Sequence, residues 1–260
     1  MLKILKYSFY DLVRSRWSLI YFTFYITLGF VLLFLNNDIS KSVITLMNII
    51  IVLTPLIATL LGIMYYYNSR EFIELLLAHP MKRSAIFIGQ YLGLSISLSI
   101  SLILGLGIPF LIYGVLISTV IFDFLTLILV GTFLNFIFVA LAYNIALSNE
   151  NKIKGFGYAI LLWLFLAVIY DGLLLTLLVV FDDYPLEKTA LMGSVLNPID
   201  LSRILILLKL DISALMGYTG AIFKNFFGNS MGMLMAFAIL LVWVVLPVGR
   251  IIQIAKRKDF

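Results

Sequence analysis

Apolar residues in this chain come in long blocks and polar residues in short ones. The apolar blocks run over residues 17–35, 43–67, 85–116, 124–147, 157–181 and 231–252. Each is about the length that crosses a bilayer as a helix. Residues 1–16 follow a different pattern, with Leu2, Leu5, Phe9 and Leu12 on one helical face and Lys3, Lys6, Tyr10 and Arg14 on the other. That pattern predicts an amphipathic helix lying in the membrane interface. A signal peptide is not expected, because the basic stretch is long and no small-residue cleavage site follows the apolar run. The chain therefore reads as an all-α membrane protein. It has an interfacial helix (1–16), spans one to five (17–181), an outer segment (182–230), and a sixth span with a basic tail (231–260).

Details within the spans sharpen this picture. Trp17 stands where the first span meets the headgroup layer, and Tyr65, Tyr66 and Tyr67 form a belt at the end of the second. Pro55 predicts a kink in that second span. The third span carries a small residue at every fourth position, namely Gly89, Gly93, Ser97, Ser101 and Gly105. Such a row lets another helix approach closely. The approaching helix is expected either from within the subunit or from a second copy at a homodimer seam.

The polar blocks are as informative as the apolar ones. The longest between two spans is NSREFIELLLAHPMKR, residues 68–83. Asn68 and Ser69 suit a helix start, and Glu71 and Glu74 lie near its N-terminus. Pro80 ends the helix, and Lys82 and Arg83 follow. Leu75, Leu76 and Leu77 need a cover, which either a partner protein or the headgroup layer would supply. A solvated connector is the plain alternative to a docking helix. SNENKIK, residues 148–154, forms a second polar connector on the same side. In the outer segment, Asn197 caps a predicted helix with Pro198 at its first position and Asp200 in its first turn. Ile204 to Leu208, between Arg203 and Lys209, is too short to span. It is expected to lie on the outer membrane surface or to re-enter it in part.

Charge placement gives the orientation. With both termini inside, thirteen of the eighteen Lys and Arg residues face the cytoplasm, leaving only Lys41, Lys188, Arg203, Lys209 and Lys224 outside. This is the positive-inside distribution, and it predicts a multi-pass membrane protein with both termini cytoplasmic.

Composition narrows the chemistry. The chain is 63% hydrophobic and 12% charged, with a mean hydropathy of +1.14. It has no cysteine and one histidine, His79, so a thiolate site, a disulfide frame and a histidine-rich metal site are excluded. No GxxxxGK[ST] phosphate loop occurs, so ATP hydrolysis by that route would have to come from another subunit. The basic balance, bordering the spans, points to lipid headgroups or an acidic partner surface rather than nucleic acid. Met231, Met233 and Met235 cluster at one membrane edge, but residues two apart diverge on a helix, so a copper site there is not expected. No paired carboxylates, nucleophile or oxyanion arrangement stands out, and no enzyme activity is expected. Asp171 is the one acid well inside a span and is a functional candidate on that ground. Its structural alternative is a carboxylate bonded to Asn135, Asn144 or a tyrosine hydroxyl.

Four stretches together resemble a known family: the basic helix before Trp17, YNSREFIELLLAHPMKR, WLFLAVIYDGLLLTLLVV with Asp171, and NPIDLSRILILLKLDISALMGYTGAIF. They are similar to the six-helix ABC-2-type permeases, whose fold is that of type V exporters. Within these they resemble the NosY group, the membrane subunits that serve copper-centre maturation of nitrous oxide reductase. The resemblance implies a homodimer with two copies of a cytoplasmic, NosF-like ATPase supplying ATP and Mg. It also implies a periplasmic NosD-like factor with a copper chaperone beyond it, copper itself being carried by partners. It assigns ATPase coupling to Arg70, Glu71, Phe72, Glu74, Leu75, His79, Pro80, Lys82 and Arg83, with Asn149 and Lys152 as the second contact. The outer ledge for the periplasmic partner would include Asn197, Pro198, Asp200, Arg203, Lys209 and Asp211. Two other readings stay open: an ABC-2 exporter for a lipid, drug or glycan, and a stand-alone secondary transporter or channel using Asp171.

Overall fold

The structure, a computed structural model, describes residues 2–14, 16–36, 38–77, 82–181, 187–210 and 226–257. Among these the chain is helical. Helix α1 spans Leu2–Arg14, α2 Arg16–Asn36, α3 Ile39–Asn68, α4 Arg70–Leu77, α5 Arg83–Ile112 and α6 Ile121–Ser148. Helix α7 (Lys152–Leu164) continues through a π-helical segment, Phe165–Ile169, into α8 (Tyr170–Val180). Then follow α9 (Glu187–Val195), α10 (Pro198–Lys209) and α11 (Ser230–Arg257). Six of these, counting α7 to α8 as one, are long and apolar enough to cross a membrane. They match the six apolar blocks of the sequence.

Helix starts and stops follow local chemistry. Asp38 accepts the Ser40 N–H ahead of α3, and Asn151 accepts two N–H groups ahead of α7. Each satisfies backbone donors that the first turn leaves without a partner. Helix α5 stops at Ile112, earlier than residue 116, because Gly114 takes the left-handed conformation (φ 85°) that terminates it. Pro55 sits inside α3, which continues as one helix through it.

The core is formed by α3, α5 and α6, with α2 and α11 against them. The small-residue row of α5 is filled from within the subunit. A side chain added at Gly89 would meet Ile4, one at Gly93 would meet Ser8, and one at Gly105 would meet Tyr25, all within 3 Å. Between them Ser18 Oγ lies 3.2 Å from both Ser97 Oγ and Ser101 Oγ. Helices α1 and α2 thus share one groove, and no part of the row is left for a dimer seam.

The same docking adds to the predicted face of α1, where Leu5 and Phe9 are half-buried as expected. Among its described side chains Ile4 and Ser8 are buried between them, while Lys6 and Tyr10 face out. The glycines of α5 admit the backbone of α1 at those two positions, so packing rather than hydrophobicity alone sets the face.

The outer segment differs more. Helices α9 and α10 meet at a bend of 110°, and α10 is buried against α3, α6, α9 and α11. Of the two expected placements, on the surface or partly re-entering, the burial and the bend fit the second. Its leucines and isoleucines pack into the bundle, and its buried Asp200 takes a hydrogen bond and a counter-charge there.

Candidate functional site

Two places concentrate polar side chains. The first is where the fifth span meets α10. Arg203 Nη1 donates to Asp171 Oδ2 at 2.6 Å and lies 3.7 Å from Asp200 Oδ1. The side chains of Asp171 and Arg203 are each about one quarter exposed, and Asp200 is buried. One guanidinium therefore serves two carboxylates, so the fully ionised cluster carries a net negative charge in a poorly screened setting. Asn197 extends it. Its side-chain oxygen accepts the Ile199 N–H, and its amide donates to Asp200 Oδ2 (2.9 Å) and to the Leu166 carbonyl (2.7 Å). Leu166 belongs to the π segment, whose altered bonding frees carbonyls that need donors.

Helix α8 has no buried residue. Beside partial packing by Leu174 and Leu178, it is tied to the bundle by the Asp171–Arg203 pair and by Tyr170 Oη donating to the Gly193 carbonyl at 2.7 Å. The preceding α7 is held differently, with Trp163 Nε1 donating to the Val52 carbonyl of α3 at 3.1 Å. The π segment thus divides the fifth span into a part seated on α3 and a part tethered to α9 and α10. Asp171 is not bonded to the residues expected from the sequence. Asn135 accepts from Tyr21 at 3.0 Å, and Asn144 donates to the Ala140 and Pro247 carbonyls. The partner is Arg203, thirty-two positions away.

The second place is the basic end of the bundle. Helix α4 is short, with Ile73 buried, Phe72 stacked on Tyr7 of α1 (ring centres 4.9 Å apart), and Arg70 paired with Glu74 at 3.2 Å. Glu71, Glu74 and Leu75 face outward. Of the three leucines only Leu75 is exposed, Leu76 and Leu77 being half-buried. Tyr67 Oη donates to the Asn149 carbonyl (2.7 Å), and Lys152 Nζ donates to Asn68 Oδ1 (3.2 Å). The end of α3 therefore ties the two polar connectors side by side. Gly155 makes room for this: a methyl group there would run into the Tyr67 ring. Lys82 and Arg83 open α5 beside them, both exposed. His79 and Pro80 lie outside the described residues, as does Asp211.

Of the residues predicted as an outer docking ledge, five are described. Asn197, Pro198 and Asp200 are buried, and Arg203 and Lys209 are partly exposed. Lys209 Nζ sits 5.8 Å from the Phe122 ring centre. The sequence signal for the Arg203 pairing was present, since a basic residue next to an apolar run must find a counter-charge when that run is buried. The methionines do not converge: Met231 and Met235 are exposed and Met233 packs against the core. Among the described residues, no three His, Cys, Asp or Glu side chains come together as a metal site.

No protein-family model matches the chain. It is 26% identical over 211 residues to the probable ABC transporter permease protein NosY of Stutzerimonas stutzeri, covering 75% of this chain and 76% of that protein. It is 29% identical over 189 residues to the protein of the same name from Pseudomonas aeruginosa, covering 68% and 67%. With its six membrane-length helices, the chain is similar over most of its length to ABC transporter permeases of the NosY type.

Proposed function

We infer that this chain is the membrane subunit through which a separate ATPase drives a periplasmic factor for copper-site maturation of nitrous oxide reductase. The observation that carries this reading is the joining of the two polar connectors at one end of the bundle. A rigid pair of connectors, with Glu71, Glu74 and Leu75 turned outward from α4, suits the top of a soluble motor protein. The basic residues at that end favour its lying in the cytoplasm of a bacterial inner membrane, with both termini there. In this reading two copies of the chain sit over two ATPase subunits, which hold ATP and Mg. A NosD-like protein and a copper chaperone work on the other side, and copper stays on the partners. Asp171 and Arg203 would link the tethered part of the fifth span to α10 and so relay the movement.

Co-expression with the candidate ATPase provides the test. The full chain is expected to pull the ATPase down in mild detergent. The double change Glu71→Lys with Glu74→Lys is expected to lower transporter-stimulated ATP hydrolysis at least about tenfold, the effect of roughly 1.4 kcal/mol in coupling. Unchanged ATPase stimulation in that variant would remove α4 from the proposal.

A further inference from the structure

Two cavities adjoin at Trp17, Leu61 and Met64, which line both. The first, about 350 Å³, opens at the elbow between α1 and α2 and has Asp11, Tyr65, Asn68 and Ser69 among its walls. The second, about 390 Å³, is walled almost wholly by apolar groups, among them Ile20, Phe24, Ile57 and Leu60. Each falls within the size of ligand-binding cavities, roughly 300–1,000 Å³.

Polarity falls in the same direction along both walls. Along α2, Trp17 stands at the headgroup level, and Phe24 lies seven positions further in, about 10 Å deeper at 1.5 Å per residue. Along α3 the wall passes from Asn68 and Ser69 through Met64 to Ile57, about 16 Å deeper by the same rise. A polar mouth at headgroup depth that opens into an apolar channel is the shape of a phospholipid, and a soluble ion or metabolite would leave the channel unused.

The headgroup follows from the charges. Asp11 is the one charged side chain among the described residues lining the mouth, and Lys152 stands behind that wall, donating to Asn68 Oδ1 at 3.2 Å. A carboxylate there repels an anionic headgroup and attracts an ammonium, while the Tyr65 and Ser69 hydroxyls and the Asn68 amide offer donors to phosphate oxygens. We propose that this crevice binds one phospholipid with an ethanolamine headgroup, its ammonium on Asp11 and an acyl chain in the groove between α2 and α3. The site does not depend on what the subunit transports or which ATPase drives it.

Native mass spectrometry of the full chain, released from vesicles of equal phosphatidylethanolamine and phosphatidylglycerol, tests this. The wild type is expected to keep one phosphatidylethanolamine, favoured about fivefold over phosphatidylglycerol. Asp11→Asn, a change at an exposed position, should bring the two lipids near parity. Ile20→Trp, also at an exposed position, should fill the groove and abolish the adduct. Retention of no lipid, preference for phosphatidylglycerol, or an undiminished adduct in Ile20→Trp would each overturn the assignment.

Discussion

Arg203 joins the second part of the fifth span to α10. It faces Asp171 at 2.6 Å and Asp200 at 3.7 Å, so the two ends of the ion pair are not equivalent. Asp171→Asn leaves the guanidinium with a second carboxylate, whereas Arg203→Gln leaves two carboxylates with no counter-charge. Removing one partner of a fully buried pair costs roughly 3–5 kcal/mol. With both side chains about one quarter exposed, Arg203→Gln is expected to cost about 2–3 kcal/mol and Asp171→Asn about 1 kcal/mol. Unfolding in mixed micelles, followed by tryptophan fluorescence, would reveal the order, and equal losses would contradict it. The sequence marked Asp171 as expensive but could not name its partner. Thirty-two positions separate the two residues, and only the fold of α10 back into the bundle brings them together.

At the scale of elements, the α5 row is the clearest case of pattern becoming packing. Close approach of helices was legible from the spacing of Gly89, Gly93, Ser97, Ser101 and Gly105, and the structure settles which helices approach: α1 at one end and α2 at the other. Gly93 should therefore be intolerant. Its added methyl would stand 2.7 Å from Ser8 Cβ and 3.1 Å from the Phe9 backbone nitrogen, and neither can move without shifting α1. Gly93→Ala is expected to cost about 1–3 kcal/mol as overpacking. Gly107→Ala, in the same helix with nothing within 4 Å, should be neutral or gain up to about 1 kcal/mol from helix propensity. Thermal melting in detergent compares the two directly. Helix α10 shows the reverse relation between pattern and place. Its cap, Asn197 with Pro198, was readable from local chemistry. Its position inside the bundle was not, because a twelve-residue apolar helix satisfies its own backbone equally well on a membrane surface or within a core.

For the whole molecule, the asymmetry of charge and the absence of cysteine make orientation directly measurable. Ile153 is 82% exposed near the start of the fifth span, and Ile117 is 94% exposed in the connector between α5 and α6. Ile153→Cys is expected to react with an impermeant maleimide only from the cytoplasmic face, and Ile117→Cys only from the opposite face. The opposite labelling pattern would invert the topology and separate α4 from any cytoplasmic motor. By itself the sequence determined the number of spans, their approximate limits and the Asn197 cap of α10. These depend on hydrophobic length and on neighbours a few residues apart. Tertiary structure alone decided that α1 docks on α5, that α10 enters the bundle, and that Asp171 meets Arg203. Those outcomes depend on which surfaces fit together across dozens of residues, and spacing along a chain does not encode that fit.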